Sequence, residues 1–564
     1  MRHYHSTEGP GVALAPNMSQ AERFVTHEVE NQAPPLSGFD AFAADEPLRE
    51  ALIREGGAWG EPALSEFGVL SGGELLELGF AANVHKPTLR LFDSRGNRLD
   101  EVEFHPAYHR IMELAMAHGV HAFAWRNATR RGAHVVRLAL AYLHAQAEQG
   151  TGCPLTMTHA CVPALQREPT LAEVWVPRVT TLAYDPRGIP AARKRGCTVG
   201  MGMTEKQGGS DVRANTTRAH PLGGGEYELV GHKWFLSAPM CDAFLVLAQA
   251  PGGLTCFLLP RFRPDESRNA LRIQRLKDKL GNWSNASSEV ELCGAYAVRA
   301  GEEGRGVATI IGMVALTRLD CMMGSAAIMR QALVQAIHHA RHRKAFGRRL
   351  VEQPLMQNVL ADLALESEAA TALMLRIARA VDDAGRSPRE AALARLGTAI
   401  GKYWICKRTP AFVSEAQECL GGAGYVEESI LPRLYREAPL NSIWEGCGNI
   451  QCLDVLRALD REGDTVDALF AELSLARGGH PALDREIDAL RKDLTERDSP
   501  EVRSRTVTER AALALQAAVL VHGADHAISD AFCASRLGGG RGLTFGTLPP
   551  SLPFERLIER AWPS

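Results

Sequence analysis

The sequence lacks the marks of a metal site, a secreted scaffold or a membrane protein. Its 12 cysteines include no CxxC pair and no Cys/His grouping at zinc spacing. That excludes a zinc module and reads as thiols kept reduced in a cytosol, most of them buried packing residues. No run reaches the roughly 18 uncharged apolar residues of a bilayer span. The opening MRHYHSTEGPGVALAPNMSQ has no apolar core of signal-peptide length. A soluble, cytoplasmic protein with no membrane partner is expected. His3 and His5 stand in a Gly/Pro-rich tail and read as polar tail residues, so no metal is expected. Excess charge is missing too. The 63 Lys plus Arg against 66 Asp plus Glu leave a net charge of -3, so any polyanionic partner must be held by a local patch. No repeat of about 20 to 50 residues is present.

What is there is ordinary globular composition, 45% hydrophobic and 23% charged, over a length that holds roughly three to four domains. Residues 1–39 read as a flexible tail broken by Pro and Gly. Residues 40–197 carry mainly helical spacing, as in PAYHRIMELAMAHGV and HVVRLALAYLHAQAEQ. Across residues 198–302 the period changes to two, in EYELVGHKWFLS, AFLVLAQA, LTCFLLPR and SSEVELCGAYAV. Residues 303–460 return to long helical runs, the first from Val307 to about Ala345, and their short Pro/Gly connections favour an antiparallel bundle. Residues 461–564 add further helical segments such as LDREIDALRKDLTE. The fold class is mainly α with a central β domain.

Five strings can carry chemistry. MGMTEKQGGSD, Met201 to Asp211, enters the β domain. Thr204 and Ser210 offer hydroxyls, and Gly208 and Gly209 let backbone N–H groups approach a ligand, or simply form a turn. GHKWFLS puts Phe235 and Ser237 on one side of a strand. An aromatic face beside a hydroxyl suits a planar heteroaromatic ring, and core packing explains it equally. In NSIWEGCGNIQCLDVLRAL, Gly446 and Gly448 leave N–H groups at a helix start free for an anion, and Glu445 is either a helix cap or a base poised over a ligand. In HHARHRKAFGRRLVEQ, Arg341, Arg343, Lys344, Arg348 and Arg349 fit a pyrophosphate, a nucleic-acid backbone or a plain solvated helix end. EAQECLGGAGY, with Gln417 before Gly421, Gly422 and Gly424, reads as a helix C-cap and loop.

In this order, with a β domain between helical blocks, the strings resemble the acyl-CoA dehydrogenase family. MTEKQGGSD is similar to its TEPGAGSD, GHKWFLS to its GxKxWITN, RKAFG to its RxxFG, QECLGGAGY to its QxxGGxGY and IWEG to its YEG. MTEKQGGSD, KWFLS, RLKDKLGN and RLYREAPLNSIWEGCGNIQCLDVLR further resemble the AidB branch, flavoproteins of the adaptive response to DNA alkylation, from about Pro35 to about Asp460. The resemblance implies a helical domain, a β-barrel domain and a helical bundle, plus an added C-terminal helical domain. It implies an FAD cofactor and α,β-dehydrogenation of an acyl-CoA thioester with a short or branched acyl group. FAD contacts are implied for Met201, Gly202, Met203, Thr204 and Ser210, flavin-lining positions for Phe235, Leu236 and Ser237, and a second set of contacts for Ile443, Trp444, Gly446, Gly448 and Asn449. Arg343, Phe346 and Gln417 match positions that reach FAD across a subunit interface, which implies a homo-oligomer, a dimer or a tetramer built from dimers. Glu445 matches the catalytic base, and Thr317, beside Arg318, stands where some members place that base instead.

The chemistry accounts for these residue types. Dehydrogenation of an acyl thioester needs a carboxylate to take the α-proton while a flavin takes hydride from Cβ. Departures matter as well. Lys206 and Gln207 stand where the family has Pro-Gly, and Trp283 where it commonly has Arg, so weak turnover of ordinary acyl-CoA is expected. The alternative is a flavoprotein that binds double-stranded DNA and limits alkylation damage, with vestigial dehydrogenation. In the branch the C-terminal domain is assigned to DNA, yet here Arg461 to Ser564 carries 13 basic against 16 acidic residues. DNA binding would require Arg491, Lys492, Arg497, Arg503, Arg505 and Arg510 to share a face.

Overall fold

The computed structural model describes residues 24–495, 498–539 and 542–562, so His3, His5 and Arg497 lie outside the described residues. The N-terminal layer is helical, with starts fixed by side-chain carboxylates. Asp45 accepts from Leu48 N at the start of Glu46–Arg54. Asp382, from the bundle, accepts from His134 N at 2.9 Å and Val135 N at 3.1 Å at the start of Ala133–Ala147. The helical expectation for residues 40–197 does not hold for one hairpin, Thr88–Phe92 (β1) with Arg98–Glu103 (β2). Its cause is local: Asp93 accepts from Arg95 N and Asn97 N at 2.8 Å each, and Gly96 takes a φ of 82°. Within the stretch read as a tail, Asn31 docks on the end of the bundle, donating to Lys344 O at 2.9 Å and accepting from Lys344 N at 2.7 Å.

The middle layer is a seven-stranded sheet: β3 (Val199–Gly202), β4 (Arg218–Gly223), β5 (Glu226–Ser237), β6 (Ala243–Ala250), β7 (Gly253–Pro260), β8 (Leu271–Leu276) and β9 (Ser287–Ala300). Strands β6, β4, β5, β9 and β7 pair in a ring because β7 returns to β6. Strand β3 runs parallel to β6, and β8 lies antiparallel to β9. Phe244 to Leu247 are fully buried, in one apolar cluster with Met157, Leu165 and Leu316 from flanking helices. The barrel is thereby seated on both helical layers.

Helices Gly306–His342, Pro354–Asp383, Pro388–Cys419 and Gly448–Arg461 form the bundle. The first is long and apolar enough to cross a bilayer by length and composition alone. Its Ile328, Met329, Leu333 and Ile337 are buried, however, and it packs against Ala133–Ala147 and the next two bundle helices. It stops at His342 because Lys344–Ala345 (β10) pairs with Arg348–Arg349 (β11) around Phe346 and Gly347, both left-handed at φ 52° and 77°.

The C-terminal helices Gly463–Ser474, Pro481–Thr495, Pro500–Gly523, His526–Phe532 and Phe554–Ala561 do not build a core of their own. One apolar cluster runs from Phe42 and Leu48 through Leu373 and Phe412 to Leu513, Phe532 and Ile558. Ion clusters, each centred on a buried arginine, cross the same seams. Arg376 meets Glu472 at 2.6 Å and Glu390 at 2.9 Å, and Arg560 meets Glu368 at 2.9 Å and Glu46 at 2.7 Å.

Candidate active site

The Met201–Asp211 string leaves β3 as a loop held from inside the barrel. Glu205 and Lys233 form an ion pair at 2.7 Å with both side chains fully buried. Lys233 also donates to Leu247 O at 2.7 Å, and Glu205 accepts from Thr216 N at 2.7 Å. Burial alone would raise the Glu205 pKa, but the Lys233 ammonium and the surrounding donors hold it at about 2. The loop carbonyls are tied as well: Met203 O accepts from Asn215 and Thr204 O from Trp234 N. Gly209 lies directly over Thr204, where a Cβ would come within 2.4 Å of Oγ1. Ser210 and Gly208 face outward. Gln207 bends back onto Glu205 at 2.8 Å, so of the two departures Lys206 and Gln207 only the lysine side chain extends along the surface, towards the Trp234 ring.

Strand β5 reaches the same region with a bulge between Lys233 and Leu236. The bulge sends Lys233 into the barrel and leaves Phe235 46% exposed, with Lys277 Nζ 4.6 Å from its ring centroid. Leu236 turns inward beneath Gly202, whose Cβ would sit 2.6 Å from Leu236 Cδ1. Of the expected flavin-lining set, Leu236 can therefore offer only backbone. Ser237 Oγ lies 3.0 Å from Ser287 Oγ.

Glu445 sits on the turn between Leu440–Ser442 and the last bundle helix. Its backbone is left-handed at φ 57°, followed by Gly446 at φ 94°. A non-glycine residue there costs on the order of 1–3 kcal/mol, so the surroundings must impose it. They do so through the carbonyls. Arg318 Nε donates to Glu445 O at 3.0 Å, Lys402 Nζ to Trp444 O at 2.9 Å and Gly446 O at 2.8 Å, and Gln451 to Gly446 O at 2.9 Å. The carboxylate accepts from Thr317 Oγ1 at 2.7 Å. Burial raises the Glu445 pKa, opposed by the Thr317 hydrogen bond and by the Lys402 and Arg318 charges. The helix that follows has Cys447 at its N-cap with no side-chain cap. Of the two roles open to Glu445 in the sequence, helix cap and base, the cap is thus not taken up.

The remaining candidates are held by their own neighbours. Trp444 Nε1 donates to Asn441 at 2.9 Å, and Asn449 accepts from Arg505 of the C-terminal segment at 2.9 Å. Gln417 donates to Gly424 O at 2.8 Å, closing the glycine turn. Arg343 donates to Asn31 O, Arg341 pairs with Glu559 at 2.8 Å and Arg349 with Glu352 at 2.7 Å, so the basic cluster has acidic neighbours in space. Phe346 is 99% exposed at the hairpin tip. Trp283 has two cations over its ring, Lys86 and Arg436, each 4.1 Å from the centroid. Among the described residues no cluster of His, Cys, Asp or Glu could hold a metal, and every cysteine except Cys293 and Cys447 is buried. The Glu205–Lys233 pair and Lys402 escaped sequence reasoning, although Glu205 and Lys233 are letters of the motif strings themselves.

A closed barrel between two helical layers, with a glycine loop, a strand end and a carboxylate turn presented together, is the architecture of an acyl-CoA dehydrogenase. The structure of Caenorhabditis elegans ACDH-11 in complex with C11-CoA superposes with a TM-score of 0.82 at 25% identity, over 97% of this chain and 95% of that one. The Adaptive response protein AidB N-terminal domain matches residues 31–186, the acyl-CoA dehydrogenase middle domain 200–294 and the acyl-CoA dehydrogenase C-terminal domain 304–459. AidB of Escherichia coli (strain K12) is 48% identical over 510 residues, 90% of this chain and 94% of that protein. The chain belongs to the acyl-CoA dehydrogenase family of FAD-dependent oxidoreductases, in its AidB branch.

Proposed function

We propose that the chain holds FAD between the Met201–Ser210 loop, the Phe235–Ser237 strand end and the Ile443–Asn449 turn, and that Glu445 removes the α-proton of a short or branched acyl-CoA. What the residues leave open supports this. Phe235 and Ile443 are large apolar side chains with 46% and 64% exposure beside polar loops, and nothing lies within 4 Å of a Cβ placed on Gly208, Gly421 or Gly422. Uncovered apolar faces, hydroxyls and glycine N–H groups are the donor set that a planar ring with an anionic tail requires. Bound FAD would supply the acceptor for the Cβ hydride.

The reading of Glu445 as base rests on its carboxylate. It is bonded to Thr317 rather than to the helix start, its backbone is strained, and burial brings its pKa up towards working pH. Lys402, Arg318 and Gln451 hold the turn from behind, so the carboxylate is positioned without being neutralised by a direct ion pair. The full exposure of Phe346 supports a homo-oligomer in which that hairpin meets a second copy. For DNA the C-terminal arginines are poorly disposed. Arg510 pairs with Glu486 at 2.7 Å and also with Asp493, Arg503 pairs with Asp493 at 3.6 Å, and Arg491 lies over the Phe470 ring at 4.1 Å. Phosphates would have to displace these partners.

The test is Glu445→Gln in FAD-loaded protein. Binding of FAD and acyl-CoA should persist, while flavin reduction by substrate falls by about 10²–10⁴-fold. An equally fast Gln variant removes Glu445 as the base. A protein that neither retains nor takes up FAD removes the cofactor reading.

A further inference from the structure

The seam between the N-terminal layer and the barrel leaves a cavity of about 460 Å³, and none of Thr204, Phe235, Ser237, Ile443 or Glu445 lines it. One wall is aromatic. Phe104 and Tyr108 stack with ring centroids 4.0 Å apart, and the Tyr184 hydroxyl lies 2.8 Å from His109 Nδ1. The charges around the cavity cancel with one exception. Glu103 pairs with Arg90 at 2.6 Å, Asp185 with Arg187 at 2.6 Å, Lys194 with Asp242 at 2.7 Å, and Glu101 with Arg268. Arg261, directly after β7, donates to Met240 O at 3.2 Å and makes no ion pair among the described residues. Asp242 and Glu101 act on it only from beyond ion-pairing distance, and both are already engaged. Tyr108 is the second group left open. It is only 5% exposed, yet its hydroxyl has no hydrogen-bond partner among the described residues. A desolvated cation and a buried phenol are both costly without acceptors.

We propose that this cavity is a binding site, separate from the flavin site, for an aromatic monocarboxylic acid whose ring packs on Phe104 and Tyr108 and whose carboxylate is taken by Arg261. The class follows from what the protein leaves unmatched. One uncompensated cation calls for one negative charge, and a dianion would set its second charge against Glu101, Glu103, Asp185 and Asp242. The planar guanidinium fork fits a carboxylate, and only one of its nitrogens is engaged, on Met240 O. Burial holds the Tyr108 phenol well above its ordinary pKa, so it stays protonated and can donate. Met112 and Met240 complete walls suited to a flat apolar body. The volume lies within the roughly 300–1,000 Å³ of small-molecule sites and leaves room for a fused ring system. Binding there requires neither FAD nor Glu445, so the inference stands apart from the reading under Proposed function.

The test is binding of 1-naphthylacetate to the full chain, followed by calorimetry. The parent should bind it saturably, and 1-naphthylacetamide, which keeps the shape without the charge, about tenfold or more weakly. Arg261→Gln, with its fold checked by circular dichroism, should lose that preference and bind acid and amide alike. Tyr108→Phe should weaken the acid by about threefold or more through the lost donor. Saturating isobutyryl-CoA should leave the acid bound. A parent that binds no acid, or binds acid and amide equally, overturns the proposal whether or not the variants fold. So does a folded Arg261→Gln that keeps the preference. Strictly competitive displacement by isobutyryl-CoA overturns it too, because the cavity would then be part of the acyl site. A chain that binds the acid with this preference but takes up no FAD would sink the cofactor reading and leave this site standing.

Discussion

The Thr317 hydroxyl donates to Glu445 Oε2 at 2.7 Å, joining the first bundle helix to a turn 128 residues further along the chain. It opposes the burial that pushes the Glu445 pKa up. Thr317→Val keeps the shape and removes the donor to the charged form, so the pKa should rise further. A base must be ionised, and the acid limb of substrate-driven flavin reduction should therefore move to higher pH. A hydrogen bond to a charged group, roughly 1.5–3 kcal/mol, corresponds to a displacement of about one to two on the pH scale. Stopped-flow reduction rates against pH check this; an unmoved acid limb would mean that Thr317 does not tune the base.

Gly446 is the second point at which the turn is testable. Its φ is 94°, and a Cβ would lie 2.8 Å from Gln451 Nε2 and 2.9 Å from Ile450 Cγ2. Gln451 Nε2 is the group that holds Glu445 O and Gly446 O. Gly446→Ala should cost on the order of 1–3 kcal/mol in stability and loosen FAD retention together. Urea midpoints and FAD titration measure the two; a stable variant with parental FAD affinity would show the turn to be tolerant.

Where the physics is local, the sequence was legible. The change of period from 3.6 to two placed the barrel between helices, and the glycine and carboxylate strings lie on loops and turns at element ends. What was not legible is set by register and topology. Leu236 turns inward only because β5 bulges after Lys233. Glu205 meets Lys233 because the barrel folds two already visible strings onto each other. Thr317 read as a vacant base position, and its role as partner of Glu445 needs the helix to pass behind the turn. The C-terminal segment read as an added domain, but its apolar faces are completed by the bundle.

Acid should unfold the N-terminal layer at mild pH. His121 and His144 are buried and His134 is half-buried, and desolvation lowers each pKa to about 4 from an ordinary 6.5. In the unfolded chain they take up protons below about 6.5, while the folded state refuses them until about 4. Their contribution to stability is therefore complete above about 6.5 and is lost as pH falls towards 4. Thermal unfolding of the apoprotein should show a falling Tm across that window, and His134→Phe should flatten part of it. A Tm that does not change between those limits would contradict neutral burial.

Arg560 tests whether the C-terminal segment is a module or part of one folding unit. Its guanidinium joins the last helix to Glu368 of the bundle and to Glu46 and Glu50 of the N-terminal layer. Arg560 and Glu368 are both buried, whereas Glu46 and Glu50 are more than a third exposed and contribute little through solvent screening. Arg560→Met leaves Glu368 buried without its partner, a loss of about 3–5 kcal/mol at neutral pH. Burial already raises the Glu368 pKa despite the arginine, and without it the side chain should take up a proton. The loss should then shrink as pH is lowered towards the ordinary carboxyl range, because the unfolded chain no longer gains by ionising there. Pairing Arg560→Met with Glu368→Leu should restore most of the stability, as replacing both partners by apolar groups removes the stranded charge. Because one apolar core runs from Phe42 to Ile558, the single variant should unfold in one transition in which FAD release and the loss of helix coincide. Two separated transitions, with FAD retained through the first, would show the C-terminal segment to be an independent domain.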